Sequence, residues 1–168
     1  MTVVDTFGDD IQMLSIAMAL CNDAELETSS KDLNGQEKIE ASGEPTEAAL
    51  VIFAAKNGID KNKLKEEYPR IGEAPFDSKR KMMSTVHRHD GKIIQFTKGA
   101  PDEVLTKCTQ WLHNGSVIPL TDELRDEIME ANNSMAANAL RVLAGAMKEY
   151  PEEPQSYEAE EIENDLIF

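Results

Sequence analysis

Positive charge is scarce in this chain: 17 Lys and Arg stand against 32 Asp and Glu, giving a formal net charge of −15. A protein that binds the phosphate backbone of nucleic acid usually shows a basic excess or patch, so that class is excluded. Docking on an anionic membrane surface is disfavoured for the same reason. A ligand carrying phosphate must therefore find a local cluster of cations. Cysteine is nearly lacking too. Cys21 and Cys108 lie far apart, each among apolar residues and neither in metal-type spacing, and they read as reduced core thiols rather than a disulfide. No apolar run approaches the roughly 18 uncharged residues that span a bilayer. Asp5, Asp9 and Asp10 come too early for a basic-then-apolar leader, so a soluble chain is expected. The common signatures of phosphate loops, dinucleotide folds, nucleophile elbows and zinc sites are missing as well.

What is present suits one domain with a real core, over residues 1–168. Asp9 to Cys21 reads as a largely buried helix. Asn22 to Lys38 is polar and holds Asn34-Gly35, which suggests a loop or irregular hairpin. Gly43-Glu44-Pro45-Thr46 opens a second helix, with Pro45 in its first turn and Gly58 beyond its end. Asp60 to Tyr68 predicts a short polar helix. Lys81–Arg88 and Lys92–Thr97 flank His89-Asp90-Gly91 and predict a hairpin. A helix should follow Pro101, with Val104, Leu105, Cys108, Trp111 and Leu112 on one face. Asn114-Gly115 is a turn, and Thr121 caps a helix that runs to about Asn138. Leu140 to Met147 predicts a buried strand, Pro151 to Glu163 a solvated acidic loop, and Leu166-Ile167-Phe168 the start of an apolar strand. Without regular βαβ spacing, this order predicts an α/β (α+β) fold. Its sheet should be mainly antiparallel, twisted and flanked by helices.

Four segments could carry chemistry. Glu47 sits early in the second helix, where an acid also suits the helix dipole. In Pro75-Phe76-Asp77-Ser78-Lys79-Arg80-Lys81 an aromatic ring precedes three cations. That could be a strand entry with a solvated charge run, yet a ring beside cations also suits a nucleotide. Phe96-Thr97-Lys98-Gly99-Ala100-Pro101-Asp102 lies at a strand-to-helix junction, where Gly99 would let a ligand approach the backbone. Arg141 reads as a charge inside an apolar strand and would need an acid or a ligand as partner. His87 and His89, near a hairpin tip, read as exposed polar residues rather than a metal site.

Together, and in this order, the four segments resemble the nucleotide-binding domain of type II P-type cation-transporting ATPases, most like the calcium pumps. The resemblance covers nearly the whole chain. Lys98-Gly99-Ala100 is its most specific motif, supported by Phe76 with Lys81 and by Gly43-Glu44-Pro45-Thr46-Glu47. It implies that Phe76 stacks on adenine and Glu47 accepts a hydrogen bond from the adenine amine. Lys98, with Gly99 and Ala100, would line the inner pocket, and Lys81 and Arg141 would neutralise ribose-phosphate charge. Ser78 occupies a position where some members carry arginine, and Arg80 is a candidate to compensate. The family's Asp-Lys-Thr-Gly-Thr phosphorylation motif, magnesium-binding aspartates and transmembrane helices are not in this chain. The resemblance therefore implies a cytoplasmic domain excised from a larger membrane pump. It would bind ATP (Mg-ATP in the parent) and present the γ-phosphate to a phosphorylation domain, with an actuator domain as a further partner. Alone it should be monomeric and without turnover. Three alternatives stand beside this reading: a stand-alone adenine-nucleotide-binding regulatory module, the same domain from a Na, K, Mg or H pump, and an acidic interaction protein with no nucleotide.

Overall fold

The computed structural model describes residues 1–31 and 37–168. The Asn34-Gly35 turn lies outside them. Helix α1 (Ile11–Leu20) is capped by Asp10, whose side chain accepts from the Met13 amide at 2.8 Å. Strands β1 (Glu25–Lys31) and β2 (Glu37–Ser42) pair antiparallel as a separate two-stranded sheet. Helix α2 (Pro45–Lys56) starts where the Glu44 carboxylate accepts from the Thr46 and Glu47 amides, with Pro45 in the first turn. Asp60 caps the short α3 (Lys61–Glu67) in the same way.

The main sheet is built from β3 (Arg70–Asp77), β4 (Met82–His89), β5 (Lys92–Gly99), β6 (Cys108–His113), β7 (Ser116–Pro119), β8 (Ala144–Tyr150) and β9 (Leu166–Ile167). Its order is β3-β4-β5-β8-β9-β6-β7. Every neighbouring pair is antiparallel except β6 with β9. Helices α4 (Pro101–Thr106), α5 (Asp122–Ala137) and α6 (Ala159–Ile162) complete the order. The expected α+β class with a mainly antiparallel sheet is what the chain adopts.

Because strand side chains alternate in direction, neighbouring Met82 and Met83 enter different cores. Met83, Ile94 and Phe96 pack with Ala17, Leu20 and Cys21 of α1 and its end, Ala54 of α2 and Leu64 of α3. Met82, Ala144, Ala146 and Leu166 pack with Val104 and Leu105 of α4 and Ile128 of α5. Ala74, Val86 and Ile93 form a third cluster with Ala159 and Ile162 of α6. Both cysteines are free and buried, and burial pushes their thiols up to about 11 at Cys21 and about 12 at Cys108.

Four expectations need correction. The helix after Pro101 stops at Thr106, and Cys108–His113 is a strand. Apolar residues at 108 and 111 fit either element, but two partners decide it. Asn114 and Gly115, both in the left-handed region at φ 49 and 76, turn β6 into β7. On the other side, β6 bonds to the segment around β9, with Leu112 N–H donating to Phe168 O at 2.9 Å and Phe168 N–H to Gln110 O at 2.8 Å. The strand expected from Leu140 begins only at Ala144. Arg141 is therefore exposed in an irregular connection and not a charge inside a strand. The acidic stretch to Glu163 is not wholly solvated, since Ala159, Ile162 and Glu163 are buried. Finally, His87 is buried rather than exposed, with Nδ1 at 2.9 Å from Tyr68 O and Nε2 at 2.8 Å from Thr85 Oγ1. His89 is half-buried, stacked on Tyr68 at 3.7 Å between ring centroids.

The buried His87 makes stability sensitive to acid. Desolvation lowers its pKa from 6.5 to about 4, against the opposing pull of its contact with Tyr68 O. The unfolded chain thus takes up this proton first, and folding stability falls as pH drops from about 6.5 toward 4. Urea unfolding should show a loss of roughly 2 kcal/mol between pH 6.5 and 5 attributable to this group. His87→Gln should flatten that slope, and an unchanged slope in the variant would reject the assignment.

Candidate functional site

One end of the sheet gathers most of the residues singled out in the sequence. Asp77, Met82, Gly99 and Ala144 form a single row of paired positions across β3, β4, β5 and β8. Phe76 and Ser78 flank the first of these, Lys81 precedes the second, Lys98 and Ala100 flank the third, and Arg141 lies three residues before the fourth.

Glu47 and Lys98 meet there directly. Lys98 Nζ lies 2.5 Å from Glu47 Oε1, and both side chains are mostly shielded, 9% and 17% exposed. The α1 side of the sheet carries Lys98, because it pairs with Met83. Glu47 arrives from the first turn of α2. Its other oxygen accepts from the Asp23 amide at 3.2 Å, and its carbonyl accepts from Asn22 Nδ2 at 2.9 Å. The Asn22–Ala24 loop is itself held by the buried Lys61, whose ammonium donates to Asn22 O at 2.8 Å and to Ala24 O. Burial lowers the Lys61 pKa to about 8. Beside Glu47, Thr46 Oγ1 accepts from Arg141 at 2.9 Å, which is the partner that Arg141 finds in place of an acid.

The Lys98-Gly99-Ala100 segment is clamped to the start of β4. The Ala100 amide donates to Lys81 O at 2.9 Å. A Cβ on Gly99 would collide with that same carbonyl oxygen and would sit 2.5 Å from Met82 Cβ. The close approach that demands glycine here is thus strand against strand. Lys81 adopts φ 55, and its half-exposed ammonium lies 3.2 Å from Glu103 Oε1 and 4.0 Å from Asp102 Oδ2.

Phe76 is 63% exposed, while the other four phenylalanines are at least half-buried. It stands where the β3–β4 register shifts between Ala74 and Asp77. Asp77 Oδ1 closes the following turn by accepting from the Lys79 amide at 2.7 Å and the Arg80 amide at 3.1 Å. Those two backbone donors, that of Arg80 foremost, hold the Asp77 carboxyl below its usual range. Ser78 and Lys79 are exposed on this turn. Arg80, a candidate for phosphate, turns inward instead. Its Nε lies 2.9 Å from Glu163 Oε2, and its Nη2 donates to Pro75 O at 2.9 Å. Sequence reasoning missed Glu163 and the supporting Asp23 and Lys61. A signal existed for Glu163, which directly follows the apolar Ile162 and precedes the strand at Leu166.

Two features set this end of the sheet apart. A large aromatic ring is left in solvent, and cations at 79, 81, 98 and 141 surround the same sheet end of an otherwise acidic protein. A cavity lined in part by residues 1–10 also takes in Thr46 and Arg141. Its walls include Met13, Leu14, Leu50, Phe53 and Val142, which suit apolar contents rather than phosphates.

Comparison with known proteins bears on the family of the chain. Residues 10–168 match the family described as P-type ATPase, cytoplasmic domain N. The chain is 39% identical over 162 residues to Calcium-transporting ATPase 1 of Bacillus cereus, covering 96% of this chain and 17% of that protein. It is 36% identical over 157 residues to Calcium-transporting ATPase lmo0841 of Listeria monocytogenes, covering 94% of this chain and 17% of that protein. Calcium-transporting ATPase 1 of Lactococcus lactis is 36% identical over 181 residues, covering all of this chain and 20% of that protein. The chain thus spans about a fifth of the length of these relatives. With a family model that matches nearly its whole length, this chain belongs to the P-type ATPase cytoplasmic N-domain family.

Proposed function

We propose that residues 1–168 form one nucleotide-binding unit of a P-type cation pump. It binds ATP by the adenine and ribose-phosphate end and presents the γ-phosphate to a phosphorylation domain on the cytoplasmic side of the membrane. The observation that carries this reading is the placement of exposed Phe76 at the same sheet end as the Glu47–Lys98 pair, Lys81 and Arg141. In this reading the Phe76 ring stacks on the base. Glu47, with lone pairs left over after Lys98 and the Asp23 amide, accepts from the adenine amine. Lys98, Lys81 and Arg141 offset phosphate charge, and Gly99 and Ala100 hold Lys98 in place. Ser78 is exposed beside the phosphate path. The carboxylates near the phosphate end, Asp102 and Glu103, are engaged by Lys81. Magnesium, which prefers carboxylate and phosphate oxygens, is therefore assigned to other domains of the parent, as is turnover. Calcium as the transported ion is proposed from the names of the relatives alone.

Titration with ATP, followed by NMR, tests this. Binding in the range of about 10 μM to 1 mM is expected, since 1 mM corresponds to about −4.1 kcal/mol. It should persist in a magnesium chelator, with no release of phosphate. Glu47→Gln should narrow the preference for ATP over GTP, because an amide can serve either the adenine amine or the guanine carbonyl. No ATP-dependent shift at millimolar ligand would sink the proposal.

A further inference from the structure

Glu163 is a carboxylate whose side chain is 1% exposed, far in sequence from every residue of the candidate site. A charge buried this deeply is tolerated only when paired and fully hydrogen-bonded. Its partners come from the nucleotide end of the sheet. Arg80 Nε lies 2.9 Å from Oε2, and Ser84 Oγ donates to Oε1 at 3.0 Å. Behind Ser84 a row of buried polar groups crosses the sheet. Ser84 Oγ lies 2.8 Å from Thr97 Oγ1, which accepts from Gln95 Nε2 at 2.9 Å, and Gln95 Oε1 accepts from the Tyr150 hydroxyl at 2.5 Å. Because Ser84 gives its one proton to the carboxylate, Thr97 must give its own to Ser84. Every donor in the row then points toward Glu163: Tyr150, Gln95, Thr97 and Ser84 in turn. Such a one-way row needs an acceptor at its end, which the Glu163 carboxyl supplies.

The other side of the carboxylate reaches the site. Arg80 Nη2, 3.5 Å from Glu163 Oε1, also donates to Pro75 O, the carbonyl just before Phe76, while Nη1 lies 3.9 Å from Asp77 Oδ2. One guanidinium therefore ties the start of the Phe76–Arg80 turn to its end and both to Glu163. Through Arg80, Glu163 decides where the chain leaves β3 and so where the Phe76 ring stands.

We propose that Glu163 is a positioning residue for nucleotide binding, acting through Arg80 and Pro75 to fix the Phe76 turn. This rests on the reading of Phe76 as the base-stacking residue. Glu163→Gln keeps the shape but replaces one acceptor oxygen with a donor, so either Arg80 or Ser84 loses its partner. The folded variant should bind ATP and AMP about 3- to 10-fold more weakly, a modest coupling for residues in one network. The decisive readout is a double-mutant cycle with Phe76→Ala. Once the ring is gone, Glu163→Gln should cost no further affinity. Arg80→Lys, which keeps the charge and loses the fork, gives the same cycle should Glu163→Gln fail to fold. A lowered melting temperature with unchanged affinity, or losses that simply add in the double variant, would overturn the proposal. Failure of the wild-type chain to bind ATP, or binding indifferent to Phe76→Ala, would instead overturn the reading beneath it.

Discussion

Gly99→Ala should destabilise the fold by about 3 kcal/mol, the upper end of what overpacking costs. The new methyl would have no room, because it would meet the Lys81 carbonyl and Met82 Cβ, and neither is the loose end of a flexible side chain. Backing away would break the Ala100–Lys81 hydrogen bond and the pairing of Gly99 with both Met82 and Ala144. Gly145→Ala, one residue along on the neighbouring strand, is the control. Its methyl would meet only Met18 Cε at 3.0 Å and Leu14 Cδ1 at 3.4 Å, ends of side chains that can shift. There the loss of chain freedom in the unfolded state offsets the squeeze, and a change under about 1 kcal/mol is expected. Urea unfolding of the two variants side by side measures the difference. Equal effects would show that the Gly99 contact relaxes at little cost.

Phe76→Ala should do the reverse, sparing the fold and weakening ATP binding by about 1–3 kcal/mol, which is roughly 5- to 150-fold. An exposed side chain contributes little to folding, so the unfolding midpoint should move by no more than about 0.5 kcal/mol equivalent. The loss should appear equally with AMP, since the stacked part is common to both ligands. Inorganic triphosphate should be unaffected. A titration by NMR distinguishes these ligands. Unchanged affinity for ATP would remove Phe76 from the site, and weaker binding of triphosphate as well would mean the whole turn had moved.

Local rules made much of this fold legible. The Thr121 cap and the Glu44-Pro45 start mark two helices, because each solves a hydrogen-bonding problem within a few residues, and Asp10 and Asp60 cap two more that were read from their residue pattern. The Asp90-Gly91 hairpin is legible for the same reason. What was misread depends on distant partners. Cys108 to His113 carries spacing that suits a helix, and only the arrival of Leu166–Phe168 alongside makes it a strand. Strand β3 passed unrecognised because its burial does not alternate cleanly and its register slips twice. Among the site residues, Glu47 and Lys98 were singled out separately, but no spacing in the sequence shows that they pair across 51 residues. Arg141 was placed in a strand on the strength of its apolar neighbours, whereas helix α5 ends in a left-handed Ala139 and leaves the next four residues irregular. Glu163 hid inside an acidic segment, where composition alone says solvent.

Strand β9 follows every other described strand in sequence, yet it lies inside the sheet, between β8 and β6. A polypeptide growing from its N-terminus can therefore assemble β3, β4, β5 and β8 as one antiparallel patch and β6 with β7 as a separate hairpin. The two cannot be joined until residues 166 and 167 are available. Until then, both the outer side of β8 and the inner side of β6 present unpaired backbone groups, the kind of edge on which other chains can stick. The strand that follows the others thus seals two adhesive edges in one step.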